Sequence, residues 1–126
     1  MAKILIAEDE RDIRELITFT LELAGYQVIP TCDGEEALIA AKKEIPDLIV
    51  LDIRMPRMTG YDACVQIKSD MKTKHIPVVF VSAKGQEGEV KTGLDMGASD
   101  FLIKPFSPTQ LIEVVQTVLR STTNAL

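Results

Sequence analysis

The chain has 126 residues, 46% of them hydrophobic and 26% charged, with a net charge of −5. That length fits one ordinary domain and excludes two full ones, and the composition excludes a disordered chain. No apolar run approaches the roughly 20 residues that span a bilayer, and the negative charge argues against non-specific nucleic-acid binding.

Ile4-Leu5-Ile6-Ala7 is the first β-rich run. It is too short for a signal peptide and leads into the acidic pair Glu8-Asp9, so a cytoplasmic protein without membrane attachment is expected. Ile13, Leu16, Ile17, Thr20 and Ala24 then fall on one helical face, with Gly25 as the stop signal. Val28-Ile29 is a second strand. Asp33 and Glu36 form a capping-box pair ahead of a second helical stripe, Ala37, Leu38 and Ala41. Leu48-Ile49-Val50-Leu51 is the third strand, and a third helix starts after Thr59-Gly60 with Tyr61, Cys64 and Ile67. Val78-Val79-Phe80-Val81 is the fourth strand. Val90, Gly93, Leu94 and Gly97 mark a fourth helix, and Phe101-Leu102-Ile103 a fifth strand. Leu111, Val114, Val115, Val118 and Leu119 repeat at helical spacing behind the cap Ser107, with Pro108 in the first turn and Gln110 at the capping-box position. The tail from Ser121 to Leu126 is expected to fray.

Most of the β-rich runs lack polar alternation, as strands buried on both faces of a parallel sheet do. Five such strands alternating with five helices predict an α/β fold as a single domain over residues 1–126. Cys32 and Cys64 have no metal-ligand spacing and read as buried small apolar residues rather than a disulfide.

In a parallel sheet the residues that follow each strand gather at one edge. Strand one ends at Glu8-Asp9, strand three at Asp52, strand four at Ser82 and strand five at Lys104-Pro105. The fold thus brings carboxylates, a hydroxyl and an ammonium together. Each residue alone has a bland reading: turn residue, helix cap, loop hydroxyl or solvated cation. Together they describe a site for a hard divalent cation such as Mg²⁺, where Lys104 and the metal nearly cancel the acidic charge. There Asp52 can act as a carboxylate nucleophile toward a phosphoryl donor, giving an acyl phosphate.

The chain resembles the receiver domain of two-component response regulators, including stand-alone regulators of the chemotaxis type. The resemblance rests on Glu8-Asp9, on Asp52-Ile53-Arg54-Met55-Pro56-Arg57-Met58-Thr59-Gly60, on Ser82-Ala83 and on Lys104-Pro105-Phe106. It implies a doubly wound, flavodoxin-like sheet in order 2-1-3-4-5 flanked by five helices, with Asp52 as phosphoacceptor. It implies Mg²⁺ (or Mn²⁺) held by Asp9, Asp52 and the backbone carbonyl of Arg54, with Glu8 acting mostly through metal-bound water. Ser82 and Lys104 would contact the phosphoryl oxygens, and the bond before Pro105 would be cis. Phe101 is either the family's switch aromatic or a core strand residue. Arg54 and Lys84 are either tuners of phosphoryl lifetime or ordinary exposed cations.

The switch this implies runs from Ser82 through the loop Ala83 to Gly88, whose two glycines ease its movement. It ends on the face formed by the fourth helix, fifth strand and fifth helix. The implied partners are a sensor histidine kinase or phosphotransfer protein and an unnamed effector or output domain. The protein itself would be a signalling switch rather than an enzyme acting on other molecules, and a monomer or weak homodimer. The lone His75 reads as a solvated loop residue, not a phosphoryl carrier. An aspartyl phosphatase of the haloacid-dehalogenase type wants a second Asp where Arg54 stands. A flavodoxin-type phosphate loop would be repelled by Glu8-Asp9-Glu10. The intact set Asp9, Asp52, Ser82 and Lys104 speaks against a degenerate receiver that serves only as an interaction module.

Overall fold

In a computed structural model, residues 1–83 and 87–124 are described. Strands and helices alternate as β1 (Lys3–Ala7), α1 (Arg11–Leu23), β2 (Gln27–Thr31), α2 (Gly34–Glu44), β3 (Leu48–Asp52), α3 (Gly60–Ser69), β4 (Val78–Ala83), α4 (Glu87–Asp95), β5 (Asp100–Lys104) and α5 (Pro108–Asn124). The strands form one parallel sheet in the order β2-β1-β3-β4-β5. Strand order reverses between β1 and β3, which opens a crevice beyond their carboxyl ends.

The apolar runs are continuous because successive residues serve two cores. Leu5, Ile49, Leu51, Val78 and Phe80 pack with Ala37, Ala41, Ala63, Cys64 and Ile67 from α2 and α3. Ile4, Ile6, Val50, Val79 and Val81 pack with Ile17 and Leu21 of α1 and with Leu111, Val115 and Val118 of α5. Strand side chains alternate between faces, so both sets must be apolar. Among the described residues β2 pairs only with β1, and this edge position tolerates Pro30.

The helix starts are chemically specified. Asp33 accepts the Glu36 N–H at 2.8 Å, and Glu36 reaches back to the Cys32 N–H at 3.0 Å, one residue beyond the usual capping-box target. Thr59 accepts the Asp62 N–H at 3.2 Å and so caps α3. Ser107 and Gln110 make the complete reciprocal box at α5, at 3.1 and 2.8 Å.

Four expectations need correction. Leu16 is 50% exposed and Ala24 is exposed, because the inward stripe of α1 runs through Ile13, Ile17, Thr20 and Leu21 instead. Gly88 belongs to α4 rather than to the loop after Ser82, and Lys84 and Gly85 lie outside the described residues. The chain from Ser121 to Asn124 continues α5, and Ala125 and Leu126 lie outside the described residues. Cys32 is only half-buried, since its Sγ donates to Glu36 Oε1 at 3.2 Å, whereas Cys64 is buried beneath α3.

Candidate functional site

Sheet register sets the site. Asp52 pairs with Val81, one residue short of Ser82, and Ala83 pairs with Lys104. β3 is pinned beyond its end by the Ile53 N–H donating to the Val81 carbonyl at 3.1 Å. On the other side, the Glu8 N–H donates to the Thr31 carbonyl at 3.1 Å and extends β1 past its last paired residue. Arg14 of α1 donates to the carbonyls of Glu8 and Asp9, at 2.9 and 3.3 Å, and fixes the acidic turn. The Lys104–Pro105 bond is cis.

Carboxylate oxygens of Glu8, Asp9 and Asp52 lie within 4.8 Å of one another. Glu8 and Asp52 are buried and Asp9 is exposed. The Lys104 ammonium sits 2.7 Å from Asp52 Oδ2 and 2.8 Å from Glu8 Oε1. Asp52 Oδ1 accepts the Arg54 N–H at 3.2 Å, and Glu8 Oε2 accepts the Glu10 N–H at 3.1 Å. Glu8 Oε1 is held by the Lys104 ammonium in a buried ion pair at 2.8 Å.

Burial pushes the Glu8 carboxyl up to about 7, against the pull of Lys104 and with the help of the neighbouring Asp52 charge. Burial also opposes the charge on Lys104. The Asp52 and Glu8 carboxylates outweigh that opposition and hold its pKa above the ordinary lysine value.

The strand-end residues therefore come together, with one rearrangement. The Ser82 hydroxyl, 1% exposed as a residue, donates to Glu89 Oε1 at 2.9 Å rather than facing Asp52. Glu89 Oε2 in turn binds the Arg54 guanidinium at 2.9 Å. The Arg54 side chain is thus one half of an ion pair, not a free cation. Glu89 also lines the cavity of about 240 Å³ over Glu8, Asp9, Asp52 and Lys104. The sequence reading missed it, because an acidic residue early in a helix is ordinary. No signal in the sequence singles it out, because its place beside Ser82 depends on how α4 crosses the end of β4. Phe101 is half-buried and pairs in register with Phe80. His75 is exposed in the turn before β4. Lys84 lies outside the described residues.

The donor set fits a hard divalent cation: hard carboxylate oxygens of Glu8, Asp9 and Asp52, grouped within 4.8 Å of one another. Counting Glu89, four carboxylates face Lys104 and Arg54, a formal −2 that such an ion would cancel.

The family model for the response regulator receiver domain matches residues 4–116. The alkaline phosphatase synthesis transcriptional regulatory protein PhoP of Bacillus subtilis is 42% identical over 118 residues, covering 94% of this chain and 48% of PhoP. A ycf27 regulator of Guillardia theta is 41% identical over 98% of this chain and 47% of its own length. The chain thus spans about half the length of these curated relatives. Among solved structures, the Vibrio cholerae chemotaxis protein CheY4 superposes with a TM-score of 0.88 at 35% identity, over 94% of this chain and 98% of CheY4. NtrX of Brucella abortus superposes with a TM-score of 0.93 at 32% identity, over 98% of this chain and 28% of NtrX. No helix among the described residues is long and apolar enough to cross a membrane.

Proposed function

The chain belongs to the response regulator receiver family of two-component systems, and from that premise we propose that it is a switch set by phosphorylation of Asp52. The observation that carries this reading is the placement of Asp52. It ends β3 with one oxygen on Lys104 at 2.7 Å, and with Glu8 and Asp9 it forms a group of carboxylates within 4.8 Å of one another. The receiver unit extends over residues 1–126. The donor is a phosphohistidine of a sensor kinase or phosphotransfer protein.

Asp52 attacks the phosphorus, the P–N bond breaks, and its electron pair passes to the imidazole nitrogen, which takes a proton from solvent. The product is an acyl phosphate on Asp52. Asp9, Asp52 and the Arg54 carbonyl would hold Mg²⁺, with Glu8 at its outer side. A bound Mg²⁺ supplies charge neutralisation for the transferred oxygens. Lys104, already on Asp52, is placed to follow the new phosphoryl charge. Ser82 has a single proton to offer the same group.

Its movement, together with Phe101, carries the change to α4, β5 and α5. Phe101 borders a cavity of about 260 Å³ shared with Ile103, Phe106 and Val114, which leaves an aromatic side chain room to shift. Arg54 and Lys84 tune the lifetime of the acyl phosphate. Its decay in Arg54→Ala and Lys84→Ala reads that role, and parental rates in both would exclude it.

Metal binding and a phosphoryl mimic test the site. Mg²⁺ should bind, and beryllofluoride should bind in its presence; an interaction-only module would bind neither. The affinity for Mg²⁺ should depend on pH. With its carboxyl at about 7, Glu8 is mostly protonated at pH 6 and mostly ionised at pH 8. Affinity should therefore rise about tenfold over that interval.

The metal-free protein moves the opposite way. Between the ordinary value of 4.5 and about 7 the folded state keeps a proton that the unfolded chain has lost. Stability therefore falls as pH rises through that window. Glu8→Gln should flatten both dependences. A pH-independent affinity in the parent would contradict the role given to Glu8.

A further inference from the structure

Glu89 joins α4 to the phosphorylation site through two contacts of its carboxylate. One oxygen takes the Ser82 proton at 2.9 Å and the other the Arg54 guanidinium at 2.9 Å. Its side chain is only 17% exposed, so the Ser82 contact is partly shielded from water and stronger than an exposed one, whereas the Arg54 side chain is 66% exposed and its ion pair is weaker. The Tyr61 hydroxyl donates to the Glu89 carbonyl at 2.7 Å, and the Tyr61 ring stands edge-on to Phe80 at 5.5 Å. The beginning of α4 is therefore held from β4, from the segment after β3 and from α3. Its side-chain anchors are two groups beside Asp52.

We propose that Glu89 is a resting-state latch, a positioning residue that competes with the Asp52-linked phosphoryl group for the Ser82 proton. A hydroxyl has one proton to donate, so Ser82 cannot serve the Glu89 carboxylate and a phosphoryl oxygen at once. A phosphoryl group adds roughly −1.5 to −2 charges, and Glu89 lines the same cavity as Asp52. Like-charge repulsion and loss of the Ser82 proton act in the same direction, and both expel Glu89. The first turn of α4 thereby loses its anchor on Ser82. Linkage is reciprocal: whatever the phosphoryl group does to the latch, the latch does to the phosphoryl group. Breaking it favours the phosphorylated arrangement.

This second half rests on the reading of Asp52 as phosphoacceptor; the latch itself does not. The test therefore has two arms. In the first, amide hydrogen exchange is measured on the metal-free, unphosphorylated parent, Glu89→Ala, Ser82→Ala and the double variant. Glu89→Ala should speed exchange of the α4 amides about tenfold, the loss expected for hydrogen bonds to a charged group. In the Ser82→Ala background the same change should have under about half that effect, because the two residues share one contact. Unchanged α4 exchange in Glu89→Ala, or an equal effect in both backgrounds, overturns the proposal.

In the second arm, beryllofluoride affinity is measured with Mg²⁺, and should be several-fold tighter in Glu89→Ala than in the parent. Weaker binding in the variant would overturn the competition and make Glu89 a supporting group. If neither protein binds beryllofluoride while the exchange arm gives its expected result, the Asp52 reading fails and the latch stands.

Discussion

Lys104→Met should slow phosphoryl transfer from a small phosphodonor to Asp52 by about 10²–10³-fold, the usual cost of removing one preorganised charge from a reacting centre. The ammonium lies 2.7 Å from Asp52 Oδ2 and 2.8 Å from Glu8 Oε1, and those distances give the substitution a second consequence. Without the cation, two buried carboxylates face each other uncompensated. Removing one partner of a buried ion pair commonly costs 3–5 kcal/mol. Lys104 has a quarter of its side chain exposed, so about 2–3 kcal/mol is expected here. The loss should grow as pH rises through about 7, where Glu8 ionises, and millimolar Mg²⁺ should restore much of it. Denaturant unfolding with and without Mg²⁺ reads the stability, and the time course of labelling reads the rate. A labelling rate within twofold of the parent would show that Lys104 is not the charge partner of the transferred group.

Gly60→Ala should be a severely damaging single methyl, comparable by its backbone clash to Gly34→Ala. Gly60 opens α3 directly against the end of β3, and its N–H donates to the Ile53 carbonyl at 2.9 Å. A Cβ there would collide with the Asp52 carbonyl oxygen and stand 2.9 Å from Ile53 Cα. Both obstacles are backbone, so no side-chain rotation relieves them. Either the α3 start or Asp52 must move. A loss of about 3 kcal/mol or more is expected, at the high end for a point substitution. Displacement of Asp52 should also weaken Mg²⁺ binding in the fraction that folds. A denaturation midpoint equivalent to a change under about 0.5 kcal/mol, the usual size of an unconstrained surface effect, would mean that the close approach is easily relaxed.

Gly60 also shows what a sequence conveys and what it withholds. Its position as a helix start was legible, because Thr-Gly before an apolar stripe is a capping signal. The reason for glycine was not, since it depends on where β3 ends in space. The strands were legible for a simple reason: in a sheet covered on both sides, each run must be apolar at every position. The site residues followed, because topology places every strand end at one edge. Leu16 misled because it neighbours Ile17 in sequence, yet one helical step carries it round toward solvent at 50% exposure, while Leu21 is fully buried. Glu89 could not be chosen over Glu87 without the crossing geometry that puts it beside Ser82. The Arg54 pairing was hidden for the same reason, its partner being 35 residues away.

The Asp52 assignment is tested most directly by incubating the protein with acetyl phosphate and Mg²⁺ and measuring its intact mass, in parallel with Asp52→Ala. The parent should gain the mass of one phosphoryl group, lose it again on standing, and show no gain when Mg²⁺ is chelated. Asp52→Ala should gain nothing. Equal labelling of the two proteins would place the phosphoryl group elsewhere and contradict the role of Asp52.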